Sequence, residues 1–343
     1  MRTGAAARDQ AAALSHENVP FEYYFFGAPR ETGYRRCMGM HDGELHIDEA
    51  VARRLIAGQF PEWRHERIRR MATDGTVNAI FRIGTDFTAR FPIRAADLVT
   101  TNAHLTREAE ALRGLSAACP FPTPVPVAIG APGYGYPLPW SVQTWLPGTV
   151  TTPEGSAQSD RFAHDLATLI RSLRAADTKS RKFTGSGRGG DLKDSDEWME
   201  TCFHKSEDLL PVNRLRELWA AFRILPDAES IVMNHGDLIP GNLLVDDDRL
   251  VGVLDGGGFG PADPSLDLVA AWHMLDHKRR ALLRRQLASD DLQWRRGAAW
   301  AFQQAMGLVW YYQESNPGMS ALGRTTLSRI ASDPLFSQPP HPH

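Results

Sequence analysis

The sequence has little of what several classes of protein require. Its 343 residues include only three cysteines, Cys37, Cys119 and Cys202, which are widely spaced and odd in number. This excludes a disulfide framework and offers no metal-binding spacing, so we expect free thiols in a reducing cytoplasm. No uninterrupted apolar run approaches the roughly 20 residues that a membrane span requires, and the start lacks the apolar core of a signal peptide. The sequence therefore predicts a cytosolic protein with no membrane partner.

The chain also lacks a large excess of positive or negative residues. The chain has 38 Lys and Arg against 41 Asp and Glu, which gives a formal net charge of −3. Without a basic field, the composition does not favour a nucleic-acid partner. Apolar residues make up 42% and charged residues 23%, as in an ordinary globular protein. A chain of this length is too long for one small core and suits two lobes or domains.

Three polar residues, Asp237, Asn242 and Asp255, are concentrated in residues 232–260. There, the apolar segments Leu243–Val245 and Leu250–Leu254 flank a polar Asp-Asp-Asp-Arg turn, which predicts a β-hairpin. Because a hairpin returns the chain to its starting point, we expect Asn242 and Asp255 to lie side by side, about 5 Å apart. An amide oxygen and a carboxylate suit Mg²⁺, which prefers a few oxygen ligands plus substrate phosphates.

Asp237 stands five residues before Asn242, in the Asp-x-x-x-x-Asn spacing of kinase catalytic loops. In those loops the Asp accepts the proton of the attacking hydroxyl and the Asn binds metal. Asp and Asn also cluster in turns because their side chains bond to the local backbone. The occurrence of His-Gly-Asp, Asn and the Asp after the hairpin together, in order, favours the catalytic interpretation.

The run His-Gly-Asp-Leu-Ile-Pro-Gly-Asn at 235–242, followed by Asp255 and by Asp-Pro-Ser-Leu-Asp-Leu at 263–268, resembles the aminoglycoside phosphotransferase family. The resemblance extends from about residue 40 to about residue 330. It implies an α+β, protein-kinase-like fold of two lobes, with an antiparallel sheet and helices in the N-terminal lobe and a mostly helical C-terminal lobe. It also implies that Asp237 is the catalytic base, that Asn242 and Asp255 bind Mg²⁺, and that Asp267 braces the catalytic loop.

By the same resemblance, the protein is an ATP- or GTP-dependent O-phosphotransferase whose partners are the nucleotide and a small-molecule hydroxyl acceptor. Aminoglycosides, macrolides, other antibiotics and ordinary metabolites all stay open as acceptors, since a fold does not fix a substrate. A nucleotide-binding pseudoenzyme is the alternative, because Arg90 replaces the usual lysine and Gly256 follows Asp255 where many relatives have a bulky residue. If Gly256 has a negative φ and an apolar gap lies beside it, we expect Gly256→Phe to anchor a loosely held Asp255 and to tighten Mg²⁺ binding by about 1 kcal/mol.

The nucleotide-binding residues are expected on earlier strands. Residues Ile68–Ala72 and Ala79–Ile83 flank an Asp-Gly-Thr-Val turn, which predicts another hairpin. The resemblance makes this turn, with Gly75 and Thr76, the lid over the nucleotide phosphates, whose main-chain N–H groups would point at the oxygens.

A third strand, Phe87–Pro92, carries Arg90 where kinases have a lysine that binds the α and β phosphates. Its guanidinium can hold phosphate oxygens in a bidentate way, although a surface arginine is the alternative. Leucines at 105, 112 and 115 repeat at helical spacing with Glu108, which predicts an amphipathic helix. Glu108 is the natural ionic partner of Arg90.

The segment Trp140–Trp145 predicts a strand that ends at Leu-Pro-Gly. The resemblance makes it the hinge between the lobes, where main-chain groups near Gln143 and Trp145 would contact a purine base. A shift from short strands to helices near residue 150 marks the lobe boundary. We therefore predict a nucleotide-binding lobe at 40–147, a catalytic and substrate-binding lobe at 148–335, a disordered tail at 336–343, and at 1–39 either a disordered arm or residues before a natural start at Met40.

Three other stretches are open to interpretation. The glycine-rich segment 184–190 lacks P-loop spacing and a Gly-Lys-Ser, which excludes a P-loop. Seven acidic residues at 191–208 predict a solvated helix face or, alternatively, an acidic wall for a cationic substrate. The many arginines of 278–296 predict a solvent-facing basic helix surface.

Overall fold

The computed structural model describes residues 45–71, 77–185 and 188–336. Their strands are β1 (Ile68–Arg70), β2 (Asn78–Ile83), β3 (Phe87–Pro92), β4 (Pro126–Gly130), β5 (Trp140–Thr144), β6 (Thr149–Val150), β7 (Val232–Asn234), β8 (Leu243–Asp246), β9 (Arg249–Val253) and β10 (Gly260–Ala262). Their helices are α1 (Glu49–Gln59), α2 (Leu98–Ala118), α3 (Asp160–Ala175), α4 (Asp196–Lys205), α5 (Val212–Phe222), α6 (Val269–Met274), α7 (His277–Leu287), α8 (Asp291–Tyr311) and α9 (Pro317–Ala331).

An antiparallel five-stranded sheet in the order β1-β2-β3-β5-β4 forms the N-terminal part of the structure. Alternate residues of β2 are buried, as period-two patterning requires. Its core includes Phe91 and Trp140, whose rings stack with centroids 4.7 Å apart. Arg90 pairs with Ile80 on one side and Ser141 on the other, so it projects from the middle of the sheet.

Helix α2 follows this sheet's third strand and carries the predicted acidic side chain. The Asp97 carboxylate accepts a hydrogen bond from the Thr100 N–H, 2.9 Å away, and thereby caps the helix. Leu105, Leu112 and Leu115 are buried along one face, as their spacing predicted. This orientation brings the helix, with Glu108, against the segment that follows Asp255.

The predicted hairpin is confirmed as β8 and β9, which pair from Leu243 with Val253 to Asp246 with Arg249, with a one-residue register shift between Leu244 and Val245. The turn residues Asp247 and Asp248 have φ values of 44° and 60°, a conformation that short polar side chains tolerate. At the open end, the Leu254 N–H donates to the Asn242 carbonyl oxygen at 2.7 Å. The hairpin therefore returns the chain to Asn242, as predicted.

A second and larger core lies among α3 to α9 and the short strands of the C-terminal part. Helix α8 passes through it and is buried along almost its whole length. Within the described ranges, no helix has both the length and the apolar character to cross a membrane. Cys119 and Cys202 form no disulfide, as expected, and Cys37 lies outside the described residues.

The prediction of a solvent-facing basic surface at 278–296 is wrong for two of its arginines. Arg280 is 5% exposed, and its Nη2 donates to Asp333 Oδ2 at 2.9 Å. Arg296 is 1% exposed, and its Nε donates to Asp263 Oδ2 at 2.7 Å. Helical periodicity could not identify these residues, because their carboxylate partners come from distant parts of the chain.

The pair of Arg296 and Asp263 fixes the segment after β10 onto α8. Trp300 Nε1 donates to the same Asp263 oxygen at 2.8 Å. Two main-chain carbonyls complete the shell of the guanidinium, those of Pro226 at 2.7 Å and Gly190 at 3.1 Å. A buried ion pair is stable only with such additional hydrogen bonds, and removal of one partner leaves a buried charge uncompensated.

We expect Asp263→Ala to lower the free energy of unfolding by about 3–5 kcal/mol, because Arg296 would stay buried without its counter-charge. Thermal melting should show a decrease of roughly 10 °C. Asp227→Ala is the matched control, since Asp227 lies 4.0 Å from the same guanidinium but is 76% exposed. If the Asp263→Ala and Asp227→Ala proteins have the same melting temperature, Asp263 is not the stabilising counter-charge of Arg296.

Candidate active site

The Asp237 loop begins where β7 ends and is held by a buried carboxylate. Gly236 has φ +87°, which turns the chain sharply. Asp267 accepts hydrogen bonds from the N–H groups of His235 at 2.8 Å and Gly236 at 2.9 Å. Burial raises the pKa of Asp267, against the opposing effect of His235 and these two N–H groups. Asp267 therefore braces the loop in this structure, as the resemblance implied.

Asp237 is 8% exposed, and its carboxylate receives hydrogen bonds from three separate segments. Asn242 Nδ2 donates to Oδ2 at 3.0 Å and also to the Asp237 main-chain oxygen at 2.9 Å. Gln304 Nε2 donates to Oδ1 at 2.8 Å, and Arg188 Nη2 donates to the same oxygen at 3.2 Å. These donors hold the carboxylate in one orientation.

Behind Gln304, a buried histidine completes the support of Asp237. His273 Nε2 lies 3.1 Å from Gln304 Oε1, and its Nδ1 lies 2.8 Å from Thr326 Oγ1. Because Gln304 donates to Asp237 through Nε2, its Oε1 must accept, so His273 Nε2 carries the proton. Burial lowers the pKa of His273 to about 4, which keeps the ring neutral at physiological pH.

Arg90 connects the sheet, helix α2 and the segment after the hairpin. Its Nη1 lies 3.5 Å from Glu108 Oε1, the pairing that the sequence predicted. Its Nη2 lies 3.0 Å from Asp255 Oδ1, which the sequence did not predict. Although burial opposes it, these two carboxylates raise the pKa of Arg90. Burial would raise the pKa of Asp255, but the charge and hydrogen bond of Arg90 lower it.

Asn242 and Asp255 stand at the same end of the hairpin. The Asn242 amide nitrogen is engaged by Asp237, which leaves its amide oxygen as the atom that can face a cation. Asp255 is 37% exposed on its side chain and lies in the left-handed region, with φ 55° and ψ 44°. In the described part of the chain, no three His, Cys, Asp or Glu side chains form a metal-binding cluster. The donor set therefore suits a hard cation only if other oxygens complete its shell.

The prediction for Gly256→Phe is wrong, because the space beside Gly256 is already filled. A Cβ at this position would lie 2.1 Å from Leu115 Cδ2 on helix α2. At Gly257, a Cβ would lie 2.8 Å from Glu108 Cγ on the same helix. These glycines allow α2 to pack closely, and the contact with Arg90 holds Asp255, which was expected to be loosely held.

A cavity of about 350 Å³ lies between the sheet, α2 and the catalytic loop. Asp237, Asp255, Arg90 and Glu108 line it together, whereas Asn242, Gln143 and Trp145 do not. Its other walls are largely apolar and include Leu105, Phe183 and Leu266. Gly75 and Thr76, the predicted phosphate lid, lie outside the described residues.

The predicted purine-binding main chain is partly engaged within the sheet. The Trp145 N–H donates to the Asp86 carbonyl at 2.7 Å. The Gln143 carbonyl accepts a hydrogen bond from Thr88 Oγ1 at 3.4 Å. Arg82 covers the Trp145 ring, with its guanidinium carbon 3.9 Å from the ring centroid. Contact of Gln143 and Trp145 with a purine stays a prediction.

Sequence reasoning missed three side chains of the site, Arg188, Gln304 and His273. Arg188 belongs to the glycine-rich segment, whose composition predicts only a flexible loop, and the other two sit on buried helix faces without a local motif. The acidic stretch 191–208 does not line the cavity. Two of its carboxylates pair with arginines of helix α5 and its C-cap, Glu200 with Arg216 and Asp196 with Arg223, which agrees with the solvated-face interpretation.

We expect Gly256→Ala to destabilise the fold by about 1–3 kcal/mol, since its Cβ would overlap Leu115. Leu115→Ala alone should cost about 2–5 kcal/mol by leaving a cavity. In the double variant the new methyl group occupies part of that cavity, so the combined loss should be smaller than the sum. Urea denaturation of the four proteins measures this coupling, and additive losses would contradict it.

The low pKa of His273 predicts a pH-dependent stability. Between pH 6.5 and about 4 the unfolded chain binds a proton at this histidine and the folded chain does not. The free energy of unfolding should therefore fall as the pH falls through this range, by a His273 contribution on the order of 3 kcal/mol. His273→Gln keeps an amide for hydrogen bonding but does not titrate. The free energy of unfolding of this variant, measured by urea denaturation at several pH values, should fall less steeply as the pH falls. Equal slopes for the variant and the wild type would contradict the prediction.

Comparison with known proteins assigns this fold and motif to a family. The sequence model of the phosphotransferase enzyme family matches residues 68–301, more than half of the chain. An aminoglycoside 3′-phosphotransferase from Escherichia coli is 37% identical over 73 residues, which are 21% of this chain and 27% of that protein. The match thus spans about a quarter of that relative's length.

Solved structures share the fold over most of the chain. The GDP complex of wild-type aminoglycoside 2′-phosphotransferase-IIIa has a TM-score of 0.63 at 18% identity, covering 83% of this chain and 99% of that chain. A macrolide 2′-phosphotransferase from Brachybacterium faecium has a TM-score of 0.51 at 18% identity, covering 76% and 91%. At this identity the likeness shows the fold alone, which is the two-lobed, kinase-like α+β fold that the sequence predicted. With the match over residues 68–301, it follows that the chain belongs to the phosphotransferase enzyme family, the kinase-like small-molecule phosphotransferases that its motifs resemble.

Proposed function

We propose that this protein transfers the γ-phosphoryl group of ATP or GTP to a hydroxyl of a small molecule, with Asp237 as the catalytic base. The observation that carries the proposal is the Asp237 carboxylate, fixed by Asn242, Gln304 and Arg188 at the wall of the cavity. Such a carboxylate can accept the hydrogen bond of an acceptor hydroxyl and take its proton as the oxygen attacks phosphorus. Positioning supplies a large part of the rate enhancement in this kind of reaction.

The acceptor is proposed to be an antibiotic such as an aminoglycoside or a macrolide, with an ordinary metabolite as the alternative. Relatives support this class: one solved neighbour is the GDP and kanamycin complex of APH(2″)-IIIa, and another is a macrolide 2′-phosphotransferase. The cavity beside Asp237 has apolar walls, and its carboxylates Asp237, Asp255 and Glu108 are all paired with arginines. Among the described residues, these pairings favour macrolides over polycationic aminoglycosides.

Mg²⁺ is the proposed cofactor, and Asn242 and Asp255 would hold it together with oxygens of the nucleotide. Their oxygen donors fit this ion, and the missing ligands are ones that phosphates provide. When bound, the ion supplies charge that neutralises the β and γ phosphates. Asp255 contributes a carboxylate whose pKa is already lowered by Arg90, so it is ionised and ready to bind a cation.

Arg90 is proposed to bind the α and β phosphates, with Glu108 as the partner that holds its guanidinium. Arg90 Nε is buried without a hydrogen-bond acceptor, which costs on the order of 1–3 kcal/mol unless a ligand supplies one. Glu108 orients the guanidinium from α2. Gly75 and Thr76 are proposed as the lid, and main-chain groups of Gln143 and Trp145 as purine contacts, within a nucleotide-binding lobe at 40–147 and beside a catalytic lobe at 148–335.

We expect Asp237→Ala to lower kcat by about 10²–10⁴-fold, because the acceptor hydroxyl loses its base, while nucleotide affinity changes little. The measurement is phosphorylation of macrolides, aminoglycosides and other hydroxylated antibiotics, with ATP and GTP in parallel, beside calorimetric nucleotide binding. Asp246→Ala is the control, since Asp246 is an exposed carboxylate nearby in the chain that does not line the cavity.

Two outcomes would contradict the proposal. Equal rates for Asp237→Ala and the wild type would remove Asp237 from the chemistry. Nucleotide binding with Mg²⁺ but no turnover on any acceptor would favour the pseudoenzyme instead.

A further inference from the structure

Arg188 reaches the active site from the glycine-rich segment 184–190. Its Nη2 lies 3.2 Å from Asp237 Oδ1, and its side chain is 10% exposed. It lines the same cavity as Asp237, Asp255 and Arg90. A cation in this position is next to the place where the transferred group and the acceptor hydroxyl would meet.

The main chain after Arg188 is firmly anchored. Gly189 has φ +105°, and its carbonyl accepts a hydrogen bond from the Asp263 N–H at 2.9 Å. The Gly190 carbonyl accepts one from Arg296 Nη2 at 3.1 Å. An added Cβ at Gly189 would lie 2.9 Å from the Cβ of Ala262, so close packing, and not a P-loop, explains this glycine. The segment therefore presents Arg188 to the site from a fixed support.

One donor of Arg188 has no partner in the protein. Its Nη1 is buried and makes no hydrogen bond, and the same is true of Arg90 Nε at the same cavity. A buried N–H without an acceptor is destabilising, so two of them at one cavity suit a ligand that carries several acceptors. Phosphate oxygens are such acceptors, and guanidinium groups bind them with strong, charge-assisted hydrogen bonds.

We propose that Arg188 is a catalytic residue that binds the transferred phosphoryl group, an inference that rests on the proposed function. Its Nη2 holds Asp237 in place, and its Nη1 donates to a non-bridging oxygen of the γ-phosphoryl group. The acceptor oxygen forms a bond to the γ-phosphorus, the bond from that phosphorus to the leaving diphosphate oxygen breaks, and the hydroxyl proton passes to Asp237. Arg188 is unchanged by the reaction and stabilises the charge on the transferred group.

A purely structural role would have a different signature. If Arg188 only compensates the buried charge of Asp237, its loss would lower stability and affect all bound states alike. If it binds the transferred group, its loss would weaken only those states that contain a group in the γ position. Nucleoside diphosphate with aluminium fluoride imitates the transferred group, and nucleoside diphosphate alone lacks it.

The test measures calorimetric binding of ADP and GDP with Mg²⁺, with and without aluminium fluoride, for the wild type, Arg188→Gln and Arg188→Lys. For Arg188→Gln we expect diphosphate affinity within about twofold of the wild type. The additional affinity due to aluminium fluoride should fall about tenfold or more, as the loss of one charged hydrogen bond implies. Arg188→Lys, which keeps the charge, should lose less. Melting curves establish whether each variant is folded. If Arg188→Gln is not folded, the aluminium fluoride enhancement measured for Arg188→Lys tests the proposal instead.

Arg181→Gln is the matched control from the same connecting segment. Arg181 contacts the Met233 sulfur at 3.4 Å and the Thr178 carbonyl at 3.1 Å, and it does not line the cavity. We expect it to bind both ligands like the wild type. Full aluminium fluoride enhancement in Arg188→Gln would overturn the role of Arg188 and leave the proposed function intact. A wild-type protein that binds no nucleotide would overturn both.

Discussion

The site depends on the burial of carboxylates that are each matched by fixed hydrogen-bond donors. An unpaired carboxylate removed from water is strongly destabilised, so every buried aspartate here constrains the segment that supplies its donors. The donors are Arg296 and Trp300 for Asp263, two main-chain N–H groups for Asp267, and Asn242, Gln304 and Arg188 for Asp237. These requirements define the shape of the catalytic loop before any ligand binds, which is the preorganisation that electrostatic catalysis needs.

Helix α2 joins the segment after Asp255 to the sheet. On one face it carries Glu108, which pairs with Arg90, and two turns later Leu115, which packs against Gly256. A side chain at Gly256 or Gly257 would displace the helix, so the glycine run sets the distance between α2 and Asp255. The absence of a bulky residue after Asp255 is therefore compensated by a leucine from another element.

Local patterns in the sequence predicted the elements that carry the motifs. The hairpin β8–β9 followed from two short apolar segments around a polar turn, and α2 followed from leucines at helical spacing. The pairing of Arg90 with Glu108 also followed, because each residue lay at a recognisable position of its element. The interpretation of Arg280 and Arg296 as surface residues was wrong, since a charge pattern does not reveal a carboxylate that approaches from elsewhere.

The fold class, the family and the motif of Asp237, Asn242 and Asp255 could be predicted from the sequence, because hydrophobic periodicity and motif spacing are local properties of the chain. The side chains that surround those three residues could not be predicted, because they come together only in the folded protein. Gln304 and Arg188 reach Asp237 from a C-terminal helix and a glycine-rich segment, and His273 supports Gln304 from a short buried helix. Their contacts depend on how distant elements pack, and packing is specified by the whole core at once and by no single stretch of sequence.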